Sequence, residues 1–596
     1  LLVRIRGAAV IARFKAGLIV LAVVVSAFAI YLSNRQTLAS FDSAPNSLFV
    51  LNLFANHRLD FDLFRGSYFT ALGGQYAFVE APNGHLTSVF PIGPALVSLP
   101  LYAIFALAEH AGVHVPAITS PAFEPLRQQY EKTAAAALAA LSVGLLLLCA
   151  REIGGPAQAA TATVVYALAT SIWTIGSQAL WQHGPVNLFV LAMAYALFRA
   201  NRAPDSTRCS RWLLAAGVCA GLLPVMRPTA VLLSLPGLIF AGWAFRRRSL
   251  AFVIGLALGA APGVAWNAYF FHSLLGGYAY AGIASSYLAS PYRALATLAA
   301  LLVSPSRGLL TFSPVLAFSI LGIVRASRVR DNDARLVVLL AAGCGAIVVQ
   351  YAFFANSLVG FSYGPRYLTD IVGVAALLLV YVIPAHPLAG IRRRPGGVAA
   401  AAVFSLTFLY SVGVQFVGAN AGAAGSEWSA VPISIDRRPN RVWPLADSQI
   451  ERNARAAYVR FFAWDVARSP SYERALAAHV RALSPSLAHV AKGTSIEATA
   501  VLSNDGRSRV YGYDTGVYVG QLRVRVRIVD AHERTTSEQY LYVTGSPTPG
   551  EVAGAVGAIT MPPAAGAYLL ECRPALVGGG TIDDRAAPFR VILHVN

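Results

Sequence analysis

Acidic, basic and aromatic side chains able to act on a charged molecule are concentrated in a few short stretches of this chain. Asp42, Asp60, Asp62, Glu80 and His85 come first; Trp181-Gln182-His183 and Arg227-Pro228 follow. Then come Asn267, His272 and Tyr278, the run Ser304-Pro305-Ser306-Arg307-Gly308, and Gly364-Pro365-Arg366-Tyr367 with Asp370. Each stretch borders an apolar run, and the alternation of the runs puts them all at one face of a membrane. Opposite charges gathered there suit a charged, amphiphilic substrate. Plainer roles exist for each residue. Asp42 could cap a helix starting at Ser43-Ala44-Pro45. Asp60 and Asp62 share one side of an extended segment, which fits solvation, metal binding or a structural role. His183 beside Trp181 fits an interfacial aromatic belt, and Arg366 a lipid-headgroup anchor. Arg227 reads as structural.

The elements that must position these residues are membrane spans. Of 596 residues, 56% are hydrophobic and 13% charged, about half the charge of a soluble domain. Mean hydropathy is +0.56. Leu18–Leu32, Ala134–Ala150, Leu336–Phe354 and Val398–Val417 approach the length that crosses a hydrocarbon core of about 30 Å. The first follows Arg4, Arg6, Arg13 and Lys15 and lacks a small-residue cleavage site, so it reads as a retained span. The net charge of +19 is almost wholly arginine. It is not one nucleic-acid-binding patch: Arg199–Arg211, Arg246–Arg248, Arg325–Arg335 and Arg392–Arg394 lie between apolar runs, as cytoplasmic anchors do. Spans are expected at Trp212–Met226, Ala230–Phe245, Ala251–Phe270, Leu309–Val324 and Ile371–Pro384 as well, about 11 to 13 in all. Ala294–Val303 is too short to cross and should lie along the outer face. The topology of residues 93–133 stays open, because Gly93–Leu107 does not fit one crossing there.

From about Tyr458 the chain changes character. Leu522, Val524, Val526 and Ile528 alternate with Arg523, Arg525 and Arg527, the period of a half-buried strand whose arginines face water, anionic lipid or glycan. Ser495–Leu502, Ser537–Thr544, Ala567–Ala575 and Phe589–Val595 are further strands, which together predict a β-sandwich. The expected organisation is a transmembrane domain over 1–420 with its first outer loop at 34–92, a linker at 421–457, and a periplasmic β-sandwich at 458–596. Only one of the five cysteines, Cys572, lies in the tail, which excludes a disulfide there.

Several motifs, taken in order, resemble a known family. They are Asp42-Ser43-Ala44-Pro45-Asn46, Leu59-Asp60-Phe61-Asp62, Ser88-Val89-Phe90-Pro91-Ile92-Gly93-Pro94, Leu180-Trp181-Gln182-His183-Gly184, Ser304-Pro305-Ser306-Arg307-Gly308-Leu309 and Tyr363-Gly364-Pro365-Arg366-Tyr367-Leu368-Thr369-Asp370. Over roughly Leu18–Val417 the chain looks like bacterial GT-C-fold integral membrane glycosyltransferases, related to the protein O-mannosyltransferase and aminoarabinose-transferase groups. The resemblance implies a polytopic α-helical fold in the bacterial inner membrane and an inverting transfer of a sugar. The donor would be a polyprenyl-phosphate sugar, and the acceptor an envelope glycan, lipid or protein at the periplasmic face. It makes Asp42 the general base and Arg307 and Arg366 the holders of the donor phosphate. Asp60, Asp62, His183 and Tyr367 become substrate-binding candidates. It calls for no fixed cofactor and leaves room for Mg or Mn. Phe90, Ile92 and the segment Asn356–Phe361 depart from the family pattern.

Two other classes remain in view. A transporter or flippase for a lipid-linked or anionic solute would show paired inverted halves, which the runs do not. A non-catalytic scaffold of envelope-polysaccharide assembly would use the β domain to bind glycan or a partner. No nucleotide-binding fingerprint is present, and no DxD-like motif beyond Asp60-Phe61-Asp62, so neither a nucleic-acid partner nor a cytoplasmic nucleotide-sugar donor is expected.

Overall fold

The computed structural model describes residues 2–38, 40–67, 74–110, 112, 115–283, 291–385, 396–463, 476–578, 582 and 587–596. The expected anchor Arg392–Arg394 lies outside the described residues. Contacts divide the chain into two units, Leu1–Ser357 with Gly364–Ala419, and Leu358–Tyr363 with Asn420–Asn596.

The first unit is helical. Its longer helices are α1 (Leu2–Leu32), α2 (Ala44–Asn56), α3 (Gly93–His110), α4 (Glu124–Ile153), α5 (Pro156–Ala169), α6 (His183–Asn201) and α7 (Ser206–Met226). After them come α8 (Val231–Phe245), α9 (Ser249–Phe271), α10 (Pro291–Val303), α11 (Phe318–Arg328), α12 (Asn332–Phe353), α13 (Val372–Leu378) and α14 (Gly397–Asn420). Among the described residues, 6 helical stretches are long and apolar enough to cross a membrane. One of them, Pro228–Tyr280, is two helices that turn back at Arg246–Arg248. Apolar runs alone suggested about 11 to 13 crossings; several of those runs fold as short or broken helices instead. Leu309–Val324 breaks at Ser313-Pro314, where proline supplies no N–H to continue the first turn. Ile371–Pro384 holds only the 7-residue α13 between two 3-10 turns.

The two ends of the bundle differ in chemistry. At one end, Glu152 of α4 pairs with Arg199 of α6 and with Arg202 just past it, and Arg202 also reaches Asp333 of α12 at 2.5 Å. Arg325 of α11 donates to the Val382 carbonyl at 3.0 Å. Among the described residues, the arginine clusters at 199–211 and 325–335 thus gather at a common end. The other end holds the start of α6 at His183 and the end of α7 at Arg227. Helices α7 and α9 approach closely because Gly217 and Gly221 face Gly255 and Gly259. A Cβ on Gly221 would come within 2.1 Å of the Leu256 carbonyl oxygen, and one on Gly255 within 2.2 Å of that of Leu214. This small-xxx-small seam fixes where α7 delivers Arg227.

The first two turns of α4 are charged yet buried. Arg127 and Glu131 are each 1% exposed. Arg127 pairs with Glu124 at 2.6 Å and with Glu131, and donates to Ser47 Oγ at 2.8 Å. Glu131 accepts from Ser43 Oγ and from the Leu180 N–H at 3.1 Å. One ion pair therefore ties the start of α2 to the segment before α6.

In the second unit, a helix α15 (Gln449–Phe462) precedes eight strands. After the loop hairpin β1 (Phe78–Glu80) and β2 (Leu86–Ser88) of the first unit, these strands are β3 (Ala478–Ser484), β4 (His489–Val490), β5 (Ser495–Asn504), β6 (Leu522–Val529), β7 (Thr535–Val543), β8 (Val552–Thr560), β9 (Gly566–Leu576) and β10 (Phe589–Val595). They form one sheet in the order β3-β5-β8-β7-β6-β9-β10-β4, antiparallel except for the pair β10-β4. The hydrogen bonding is continuous, where two separate sheets were expected. The sheet curls so that β3 comes against β9 and β10 across the core. Leu522, Val524, Val526 and Ile528 are fully buried, as their alternation predicted. Arg523, expected to be solvated, instead pairs with Glu427 at 2.8 Å. Residues 421–457, expected as a linker, are folded into this unit: Trp428 is buried and donates to the Asp447 carbonyl at 2.7 Å, and buried Arg452 donates to that of Val431 at 2.7 Å.

Removing one partner of a buried ion pair costs about 3–5 kcal/mol, whereas replacing both by apolar groups is often near neutral. Arg127→Met should therefore lower the unfolding temperature in detergent much more than Arg127→Met/Glu131→Leu. Equal losses in a thermal melt would contradict the clamp.

Candidate active site

Asp42 lies beyond α1, in the turn that leads into α2. It does not cap α2: Ser43 holds that position and makes no side-chain capping bond. The Asp42 carboxylate instead accepts from Arg366 Nη1 at 2.6 Å and from the Tyr76 hydroxyl at 2.6 Å. Burial pushes this carboxyl up, but Arg366 and then Tyr76 outweigh burial and hold it below the usual carboxylate range. Arg366 opens the 3-10 turn Arg366–Ile371, which follows Gly364 at φ +69°. Only glycine adopts that backbone at no steric cost. The Arg366 guanidinium lies over Trp181 at 5.6 Å and over Tyr367 at 5.1 Å. Its Nε is buried with no hydrogen-bond partner among the described residues. Trp181 is held in turn by its Nε1–H to Ser40 Oγ at 2.7 Å.

A second buried group adjoins the first. Asp370 accepts from His183 Nδ1 at 2.7 Å and pairs with Arg227 Nε at 3.4 Å. Arg227 Nη1 lies 2.9 Å from His183 Nδ1 and 3.0 Å from Nε2, so it sits against the ring and selects neither nitrogen. A guanidinium held against the imidazole disfavours a second positive charge there, so the cation here is Arg227. The Arg227 guanidinium sits over Tyr351 at 5.3 Å and Tyr367 at 5.4 Å. Tyr367 thus lies between two arginines. Asn187 fixes the loop from α6: its amide donates to the Thr369 carbonyl at 2.8 Å and accepts from the Gly373 N–H at 3.0 Å. Asp370 and Arg227 are buried, Asp42 and Arg366 are half-buried, and the two carboxylates balance the two guanidiniums in charge.

Of the residues singled out from sequence, Asp42, His183, Arg366 and Tyr367 come together. Arg307 is buried and donates from Nη1 to the Gly364 carbonyl at 3.2 Å, under the turn that carries Arg366. The carboxylates of Asp60 and Asp62 bond within their own loop. Asp60 Oδ1 accepts from the Asp62 N–H at 3.1 Å, and Asp62 Oδ1 from the Leu86 N–H at 2.8 Å. Arg58 pairs with both acids, and Arg65 and His85 with Asp62. Burial pushes the Asp62 carboxyl up, but the Leu86 N–H, His85 and Arg65 outweigh it and hold it at about 2. One oxygen or nitrogen from each of Asp60, Asp62 and His85 lies within 4.8 Å of the others, the spacing of a metal site. Arg58 and Arg65 already neutralise these carboxylates, so the donor set does not fit a divalent ion without displacing them. Arg227, read as structural from sequence, and Asp370 and Tyr76, given no role, are the additions the structure makes. The one sequence signal for Arg227 was an arginine next to proline at the outer end of an apolar run.

The family model for dolichyl-phosphate-mannose-protein mannosyltransferase matches residues 132–266. That segment includes His183 and Arg227 and leaves out Asp42, Arg366 and Asp370. No curated protein matches the chain by sequence. Among solved structures, the chain is similar to the Archaeoglobus fulgidus oligosaccharyltransferase in its apo form, with 14% identity and a TM-score of 0.43 over 72% of this chain and 60% of that one. It therefore spans about 60% of the archaeal protein's length. It is similar also to apo ArnT from Cupriavidus metallidurans, with 13% identity and a TM-score of 0.42 over 80% of this chain and 82% of that one. ArnT bound to undecaprenyl phosphate gives 12% identity and a TM-score of 0.40 over the same shares, 80% and 82%. At such low scores these likenesses fix neither fold nor function.

A carboxyl held at about 2 in the folded chain, against about 3.9 when unfolded, stabilises the fold above the unfolded value. That contribution fades as pH falls toward the folded one. Wild type should exceed Asp62→Asn in unfolding temperature above about pH 4, with the gap closing toward pH 2. A gap that stays constant across that range would contradict the pairing of Asp62.

Proposed function

We propose that this chain is an inverting glycosyltransferase of the bacterial inner membrane, moving a sugar from a polyprenyl-phosphate donor to an envelope glycan, lipid or protein at the periplasmic face. The observation that carries the reading is the Asp42–Arg366 pair: a candidate base bonded to a candidate phosphate ligand whose Nε has no other partner. The partial match to the mannosyltransferase family over 132–266 supports the same class. The side of the membrane rests on the two ends of the bundle. The arginine clusters mark the cytoplasmic end, and Asp42, His183, Arg227 and Arg366 are at the other. Asn34, just past α1, donates to the Ala419 carbonyl at 2.7 Å, so α14 also ends on the site side. The chain that follows, including the β domain, is then periplasmic.

In this reading the acceptor hydroxyl attacks C1 of the sugar while the bond from C1 to the phosphate oxygen breaks. The electron pair leaves on the lipid phosphate, and the hydroxyl proton passes to the Asp42 carboxylate. Paired with Arg366, Asp42 is a weak base. A donor phosphate that engages Arg366 draws the guanidinium away and leaves the carboxylate free to take the proton. Arg227 is the second cation facing the leaving phosphate. Tyr367 spaces the two guanidiniums, and His183 and Asp370 hold Arg227. Arg307 holds the Gly364 turn beneath Arg366.

Release of polyprenyl phosphate from a panel of polyprenyl-phosphate sugars, with purified protein and a mixed acceptor pool, tests the proposal. Loss of a general base costs about 10²–10⁴-fold in turnover, so Asp42→Asn should fall by that much at unchanged expression. Equal turnover by both proteins would remove Asp42 as the base.

A further inference from the structure

The exposed face of α15 ends in aromatic residues where a helix facing water would be polar. Gln449, Arg452, Asn453, Ala456 and Ala457 are buried against the second unit. The opposite side runs from Glu451 and Arg455 to Tyr458, Phe461 and Phe462. Tyr458 is 63% exposed and Phe462 77%. Their rings are 5.5 Å apart, and Phe461 lies 6.5 Å from Phe462. They form one apolar ridge confined to the last turn and a half. Arg460, in that last turn, donates to the Asn420 carbonyl at 2.9 Å. Asn420 is the last residue of the 24-residue apolar helix α14, so this bond holds the aromatic turn beside the point where the chain leaves the membrane.

We propose that the C-terminal end of α15 is a membrane-surface anchor, with Tyr458, Phe461 and Phe462 seated in the headgroup region of the bilayer. Aromatic side chains with a neighbouring arginine prefer that depth, and an interfacial helix buries its apolar face roughly 5–10 Å into the headgroup and acyl boundary. Arg460, in the same turn as the aromatic ridge, suits anionic lipid. The polar first half of the face, Glu451 to Arg455, stays in water, so the helix dips in by its end. This inference does not depend on the transferase reading.

The test uses the full chain in nanodiscs of phosphatidylethanolamine and phosphatidylglycerol. Single cysteines at Phe462→Cys, Tyr458→Cys and, as control, Ile592→Cys on β10 would carry an environment-sensitive dye on a Cys219→Ala background. The other native cysteines are buried, and Ile592 is 63% exposed. A lipid nitroxide placed near the top of the acyl chain should quench the dyes at 462 and 458 and leave that at 592 unquenched. Quenching at 462 and 458 no stronger than at 592 would overturn the proposal. A blue-shifted dye at 462 without lipid quenching would overturn it too, since a protein surface would then cover the ridge.

Discussion

A guanidinium and a carboxylate withdrawn from water must find each other, because either alone would carry an uncompensated charge in a medium that solvates it poorly. At the end of this helical bundle that requirement couples Asp42, just past the first helix, to Arg366, more than halfway along the chain. It couples Arg227 to Asp370 in the same way. The rest of the first unit can be read as what keeps these four groups in register. The glycine seam of α7 and α9 sets the height of Arg227, Asn187 and Arg307 hold the loop of Arg366 and Asp370, and the Arg127–Glu131 pair fastens the segments of Asp42 and Trp181.

In the proposed reaction the same pairing gives the site two states. With no anion present the charges satisfy one another, and Asp42 is a poor base. An entering phosphate competes for the guanidiniums, so binding of the donor and release of the base become one event. Aromatic rings, not further acids, surround both arginines. Rings attract guanidinium without neutralising it, which leaves the positive charge available to a ligand.

Much of this was legible in the sequence, and the rest has physical reasons for being hidden. Period-two alternation marked β6 because its inner face is wholly apolar, and β10 matches the expected Phe589–Val595, which turn residues set off. By contrast β8, Val552–Thr560, is small and apolar on both faces and showed no alternation. Asp42 and Arg366 stood out as charges at the edges of apolar runs. Arg227 and Asp370 stood at such edges too, but nothing marked them as partners, since 143 residues separate them and a lone arginine before proline looks like a helix end. The breaks within 309–328 and 366–381 follow from proline and from local 3-10 turns, which hydropathy does not register. The arginines that neutralise Asp60 and Asp62 were in plain view at positions 58 and 65. Their pairing depends on the turn that the Asp60 carboxylate makes with the Asp62 N–H.

The claim on which the account rests is that Arg366 is shared between Asp42 and the donor phosphate. Titrating polyprenyl phosphate into wild type, Asp42→Asn and Arg366→Gln in detergent tests it without knowledge of the sugar or the acceptor. If the guanidinium is shared, Asp42→Asn binds the lipid phosphate more tightly than wild type, because its competitor is gone, and Arg366→Gln binds it more weakly. Equal affinity in all three would contradict the account.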